Sequence, residues 1–328
     1  MQNLLLYPTD RVDQLTIGVD VSKKVLDISA APGLPRSIPN TTTACRNFAR
    51  RLRKISPRVV AVEATGGYER VLVQALWDQN VPVAVLQPNR VRAYARSSGQ
   101  LAKTDLLDAG SITNFARSMT LRLAQRPSPE EERLRVLRDR REQIVQDRVR
   151  EIGRLEAMQD TSMQREIKRQ IKHLKKIEVD LDARIKELIN GVEALRLKSE
   201  VLRQARGIGP VIVSTLLCRL PELGHVNRQS IAALGGLAPY ANESGQRRGQ
   251  RSIFAGRAEV RRALYLAAMS ATRHEGPLRD RYRAMVGKGK VKKVALIAIA
   301  RKILVGLNVR MAEHLQSIEG EEPASILT

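Results

Sequence analysis

Between Ser128 and Asn190 the chain carries a pattern that admits few folds. Ile167, Ile171, Leu174, Leu181, Ile185 and Leu188 recur at intervals of 4, 3, 7, 4 and 3 residues, a heptad seam interrupted only at Glu178. An apolar stripe of this period suits a long helix packed on another helix, and suits neither a strand nor a loop. Ser128-Pro129-Glu130-Glu131 marks a start, with a capping hydroxyl, a proline at the first position and acids in the first turn. Thr161 with Gln164 reads as a second cap after a short break, and Asn190-Gly191 as a stop. We expect two long antiparallel helices over 128–192, a coiled-coil hairpin. The seam closes within one chain or between two; pairing between chains is favoured, since so long a hairpin has few other surfaces to bury.

The chain on either side of this segment obeys other periods. Over 14–125, strand-like and helix-like stretches alternate. Leu15 to Asp20 and Val25 to Ala30 read as two strands joined by a short turn, Val59 to Val62 as a buried strand ending at Glu63, and Val81 to Leu86 as another. Helices are expected at Thr42 to Ile55, Tyr68 to Gln79 and Asp105 to Arg117, with a polar, proline-bearing loop after the second strand. Antiparallel strands followed by αβ alternation indicate a mixed-sheet α/β domain. From 200 to 320 the pattern is helical and short-looped, so the fold class is α/β plus α.

Charge narrows the partners. Lys and Arg number 57 against 34 Asp and Glu, a formal charge of +23, and between Ser244 and Arg310 there are 17 Lys and Arg against three acids. An excess of one sign on this scale opposes compaction unless a polyanion offsets it, which points to nucleic-acid phosphates. Aromatic residues are 3% of the chain, too few for a surface built on base stacking. Cys45 and Cys218 stand far apart and the four histidines are scattered, so neither a zinc site nor a disulfide framework is expected, and a reducing cytoplasm is. Met1 to Asp13 lacks the basic start of a signal peptide, and the longest apolar runs, Val211 to Cys218 and Val294 to Ala300, fall short of the ~20 residues of a membrane span. No membrane partner is expected.

Four acids are candidates for chemistry. Asp20 and Glu63 close strands, and Asp105 and Asp108 lie three apart at a helix start, on one helical face. Adjacent strands would bring all four to one sheet edge, where like charges need cations between them. Two Mg²⁺ ions about 3.5–4 Å apart would satisfy that need and clamp the attacking and leaving oxygens of a phosphodiester. Taken alone, Asp105 or Asp108 is equally an ordinary first-turn acid. Arg206-Gly207-Ile208-Gly209-Pro210 resembles a helix-hairpin-helix element, whose backbone N–H groups at a helix start accept a phosphate; a plain tight turn is the alternative. Ser244, between Glu243 and Gly245 with Arg247, Arg248 and Arg251 close by, suits a nucleophile attacking phosphorus, though Ser-Gly alone is commonly just a flexible loop. Arg261, Arg262, Lys288 and Lys290 complete the candidate phosphate contacts.

These pieces occur together, in this order, in one family. Ile17 to Lys23, Glu63 to Tyr68 and Lys103 to Ala109 resemble the Asp-Glu-Asp-Asp motifs of insertion-sequence transposases with a RuvC-like, RNase H-fold domain. Gly207 to Gly209, Gly236-Leu237-Ala238-Pro239, Glu243 to Gly245 and Arg261 to Tyr265 resemble their C-terminal transposase domain. The resemblance implies a DNA recombinase that excises and inserts a mobile element under the guidance of a structured, element-encoded bridge RNA. It implies that Asp20, Glu63, Asp105 and Asp108 hold Mg²⁺, and that Ser244 of another protomer completes the site and joins covalently to DNA. Its partners are then double-stranded donor and target DNA, the guide RNA and further copies of itself, a dimer or tetramer, in a bacterial or archaeal cytoplasm at the nucleoid. Three rivals make different predictions: a RuvC-like nuclease using water, an actin-like sugar kinase, and a non-catalytic nucleic-acid scaffold.

Overall fold

A computed structural model describes residues 15–29, 31–98, 105–240, 243–244, 247–248 and 252–321, with the backbone alone for 105–108, 319–321 and the pairs at 243–244 and 247–248. The chain divides into two compact units, Met1–Arg126 and Pro127–Thr328.

The first unit is built on a five-stranded mixed sheet. Its strands are β1 (Thr16–Val21), β2 (Val25–Ile28), β3 (Ser37–Pro39), β4 (Val59–Glu63) and β5 (Val83–Leu86), in the order β3-β2-β1-β4-β5. The first three are antiparallel and β1, β4 and β5 are parallel. Helices α1 (Thr42–Ile55) and α2 (Arg70–Asp78) cover one face, packing Phe48, Leu52, Leu72 and Leu76 on Ile17, Val19, Val60 and Val62. Helices α3 (Pro88–Ser97) and α4 (Asp105–Ser118) cover the other, where Val91, Ile112 and Phe115 meet Val59 and Ala61. Residues 59 to 62 thus alternate between two cores, as a strand buried on both faces must.

The α/β expectation stands, with two additions. The stretch expected to be a loop before α1 contains β3, an edge strand ending in Pro39, where a missing N–H leaves no inner ladder unpaired. Helix α3 was not expected: Val91 is its one buried residue, so no apolar period announces it, although Pro88 stands at its first turn.

The second unit is helical. Helices α5 (Pro129–Ala157) and α6 (Thr161–Gly191) lie antiparallel, Arg141 reaching Asp182 while Arg148, two turns on, reaches Glu178. Ser128 and Glu131 form a full capping box at the start of α5. The second cap is Asp160 rather than Thr161: its side chain accepts from the N–H of Met163, and hydrogen bonds from Ser162 and that N–H hold its carboxyl below the usual range. Leu174, Leu181, Ile185 and Ile189 form the buried seam, and Leu188 packs half-buried against it. Glu178, the gap in the heptads, accepts from Arg141 at 3.0 Å and Arg148 at 2.9 Å. Beyond the hairpin, α7 (Glu193–Arg203), α8 (Pro210–Arg219), α9 (Arg228–Leu234), α10 (Ala258–Ala271), α11 (Pro277–Gly287) and α12 (Lys292–Glu321) surround a core of Leu202, Leu216, Leu264, Ile299 and Leu304. Among the described residues, no helix is long and apolar enough to cross a membrane.

Candidate active site

Alternation decides which side chains share a face. Because Val19, Val21, Leu26, Ile28, Val60 and Val62 face α1 and α2, Asp20, Asp27 and Glu63 share the opposite face, the one α4 covers. Asp20 and Asp27 are direct cross-strand partners. The parallel register that pairs Val19 with Val62 brings Asp20 level with Glu63 one residue further on. All three are half-buried, and Asp20 Oδ1 accepts from the N–H of Val21 at 2.9 Å. Like charges opposite one another weaken a sheet unless they are compensated.

Helix α4 approaches the same edge. The N–H of Gly18 donates to Thr113 Oγ1 at 2.8 Å and to Ser29 Oγ at 3.1 Å. A Cβ at Gly18 would stand 2.4 Å from the Ala109 carbonyl oxygen, so only glycine lets α4 lie on the backbone of β1. At the far end, Arg58 donates to the Ala116 carbonyl at 3.2 Å, and its N–H to that of Leu15. Helix α4 therefore runs opposite to β1. From Ala109 back to Asp105 the axis advances about 6 Å, and from Gly18 to Asp20 the strand advances about 6.6 Å. The first turn of α4, which carries Asp105 and Asp108, lies level with Asp20. Among the described residues no three His, Cys, Asp or Glu side chains gather to hold a metal; the side chains of Asp105 and Asp108 lie outside that description. Asp27 escaped the sequence reading, although Val25-Leu26-Asp27-Ile28 alternates so as to place it there.

The serine segment has a different construction. Strand β6 (Pro239–Tyr240) pairs with β9 (Ser252–Ile253), and within that interval β7 (Glu243–Ser244) pairs with β8 (Arg247–Arg248). Ser244 stands opposite Arg247 and Glu243 opposite Arg248. What was expected as a loop is thus two short ribbons. At their root Gly256 has φ +66° and touches the backbone of Gly236, where a Cβ would stand 2.3 Å from nitrogen. The rings of Tyr240 and Phe254 lie 4.5 Å apart beside this root.

The other candidates divide between exposed and engaged. Arg261 donates to the Ala255 carbonyl at 2.7 Å, and Arg262 reaches Glu142 of α5 at 2.9 Å while its side chain stays 62% exposed. Gly207 is pressed on α10, since a Cβ would stand 2.4 Å from the Ala267 carbonyl oxygen. Arg206 donates to the Glu275 carbonyl. Gly209 caps α8 without a side-chain bond, ahead of Pro210. Lys288 and Lys290 are exposed, and Arg251 lies outside the described residues. Burial pushes the thiols of Cys45 up to about 11 and Cys218 up to about 12, values that suit neither a nucleophile nor a redox sensor.

Residues 17–163 match the model of the Asp-Glu-Asp-Asp domain of a transposase family, and residues 199–283 match that of the IS116/IS110/IS902 transposases. The chain is 30% identical over 247 residues to the pilin gene-inverting proteins of Moraxella lacunata and Moraxella bovis, covering 74% of its own length and 76% of theirs. The chain belongs to the IS110 family of insertion-sequence transposases. It is a DNA transposase, an enzyme that recombines DNA. An insertion element IS116 protein of Streptomyces clavuligerus is 31% identical over 128 residues, or 37% of this transposase and 32% of that protein. The family as a whole binds DNA and typically uses a divalent metal.

Proposed function

We propose that this transposase excises and inserts its mobile element by serine chemistry at a carboxylate-bound metal centre, guided by an element-encoded bridge RNA. The observation that carries the reading is the meeting of Asp20 and Glu63 at adjacent strand ends, level with the first turn of α4. Asp20 and Glu63 are half-buried carboxylates on one face, and their charge and oxygen donors suit a divalent cation once Asp105 and Asp108 join them. Asp20, Glu63, Asp105 and Asp108 would hold Mg²⁺, two ions per site, and these ions supply charge neutralisation for the scissile phosphate.

The chain's own groups do the remainder. Ser244 Oγ attacks phosphorus, forming a phosphoserine ester while the broken strand leaves as a hydroxyl. Arg247, its cross-strand neighbour, is suited to offset the charge that develops on the phosphate oxygens. Gly209 at the uncapped start of α8, with Lys288 and Lys290, holds DNA by its backbone, leaving base pairing with the guide RNA to read sequence. A second protomer supplies Ser244 to the acid edge of the first, in a dimer or tetramer.

Ser244→Ala and Asp20→Asn test the reading on a supercoiled plasmid carrying the element ends. With Ser244→Ala the covalent protein–DNA adduct should vanish at unchanged melting temperature; with Asp20→Asn, strand cleavage should fall about 100-fold or more. Continued cutting by Ser244→Ala would make water the nucleophile and overturn the serine mechanism.

A further inference from the structure

The ladder between β1 and β4 ends one residue short of the acids. Its last rung joins Val19 to Val62, and Asp20 and Glu63 stand just past it. Neighbouring strands twist against one another by roughly 20–25°, so beyond that rung the ladder no longer sets the gap between the two chains. The carboxylates of a metal centre nevertheless have to be held within about 0.5 Å of their working positions. A tie between the two strand ends past Val19 and Val62 therefore bears directly on the site.

Asn40, the residue after β3, makes such a tie. Its Nδ2 donates to the Ser22 carbonyl at 2.9 Å and to the Tyr68 carbonyl at 3.1 Å. Ser22 opens the turn after β1, two residues past Asp20, and Tyr68 lies in the loop after β4, five residues past Glu63. Because both carbonyl oxygens bond to one nitrogen, they lie no more than about 6 Å apart. Carbonyl oxygens can only accept, which fixes the amide with its nitrogen toward them. The Cys45 thiol, 3.9 Å from Oδ1 on the other side, agrees with that orientation. Each loop also has a brace of its own. The N–H and hydroxyl of Ser22 both donate to the Val25 carbonyl, and Glu69 Oε2 accepts from the N–H groups of Thr65 and Gly67, each at 3.0 Å. Removing the Asn40 amide thus leaves both braces in place and takes away the bridge between them.

We propose that Asn40 is a positioning residue of the transposase: by bridging the loops that follow Asp20 and Glu63, its amide sets the separation of the two carboxylates, and with it the affinity of the acid edge for a divalent cation. Asn40 acts through those two side chains and not on the substrate. The proposal rests on the metal-centre part of the proposed function. A plain loop brace contributes to stability alone, whereas a positioning residue contributes to cation binding beyond its share of stability.

The test titrates the full chain, free of nucleic acid, with Mn²⁺ and reads the free ion by electron paramagnetic resonance. Asn40→Ala should weaken Mn²⁺ binding about 10-fold, the lower end of what a metal site loses with an outer hydrogen-bond partner. Asn40→Leu, of similar shape but with neither donor nor charge, should weaken it as far, and it serves if the alanine variant does not fold. Thr41→Ala is the control for stability. The Thr41 hydroxyl caps α1 by accepting from the N–H of Ala44 at 3.3 Å, so its loss should lower the melting temperature and leave Mn²⁺ binding unmoved. Asp20→Asn should weaken binding further than either change at Asn40. Parental affinity in both Asn40 variants, with binding lost in Asp20→Asn, overturns the positioning role and leaves the metal centre standing. Equal weakening in Thr41→Ala overturns it too, since the effect would then be one of stability. Parental affinity in Asp20→Asn removes the metal centre, and the role of Asn40 with it.

Discussion

Asp20 and Glu63 stand at the ends of strands whose preceding residues, Val19 and Val62, are fully buried, whereas Ser244 stands on a two-residue strand paired with another of equal length. The acids inherit their positions from the sheet. Strand register, alternation and the contact of α4 with Gly18 all act on them together, and each is backed by a core on both faces. The serine inherits its position from a root of backbone contacts around Gly236, Ala255 and Gly256. A group that binds a fixed cation gains from the first construction, because small errors in carboxylate position are costly. A group that must meet a phosphate in a large substrate can be carried on the second.

Substitutions at the two glycine contacts should separate these constructions. Gly18→Val forces a side chain into the Ala109 carbonyl and the Thr113 N–H, at 2.4 and 2.6 Å from its Cβ. The expected loss is about 3 kcal/mol or more in urea unfolding, with cleavage lost as α4 lifts from β1. Gly256→Ala strains a residue at φ +66° and opens the ribbon root, at about 2 kcal/mol. Its covalent adduct should fall further than its stability does. Equal stability losses from the two changes would show that the ribbon root is as deeply embedded as the sheet, and would break the comparison.

Ser128→Ala sharpens it from the helical side. The hydroxyl accepts from the N–H of Glu131 at 3.1 Å while that glutamate accepts from the N–H of Ser128 at 3.0 Å. Losing the cap should lower the stability of the second unit by about 1 kcal/mol. The mixed sheet, in the other compact unit, should keep its own unfolding midpoint. A matching drop in that midpoint would mean that the two units unfold as one.

Much of the architecture was legible because its signals are local. Ser128-Pro129 with Glu131 states a helix start in four residues, and the runs ending at Asp20 and Glu63 read as strands because they are buried on both faces. The elements that escaped lack such signals: β3 is a three-residue edge with a proline, and α3 buries Val91 alone. At the site, Asp20 and Glu63 stood out because they close strands, whereas the alternation of Val25 to Ile28 puts Asp27 on the same face without showing that it lies opposite Asp20, which takes the β1–β2 register. The contacts of Arg261 with Ala255 and of Arg262 with Glu142 could not be read from charge, since they depend on segments brought together by the fold. Asp160 rather than Thr161 is the cap, one residue earlier than expected, its side chain accepting from the N–H of Met163.

The two thiols offer the smallest contrast, one in each unit. Burial raises Cys45 from 9.0 to about 11 and Cys218 from 9.0 to about 12, the second despite Arg138 and Arg219, which act in the opposite sense. A thiol whose folded pKa is raised binds its proton more tightly in the native state. Its stabilisation is complete below the unfolded value and declines as pH rises past it. From pH 8 to 9 each thiol should therefore cost only about 0.4 kcal/mol. Further up, the contribution of Cys45 should be exhausted near pH 11, while that of Cys218 continues to fall toward pH 12. Urea unfolding of Cys45→Ala and Cys218→Ala across pH 8 to 10 should show each change removing one share of the alkaline slope. A slope untouched by Cys218→Ala would mean that its arginine neighbours fully offset its burial, leaving Cys45 as the better-insulated thiol.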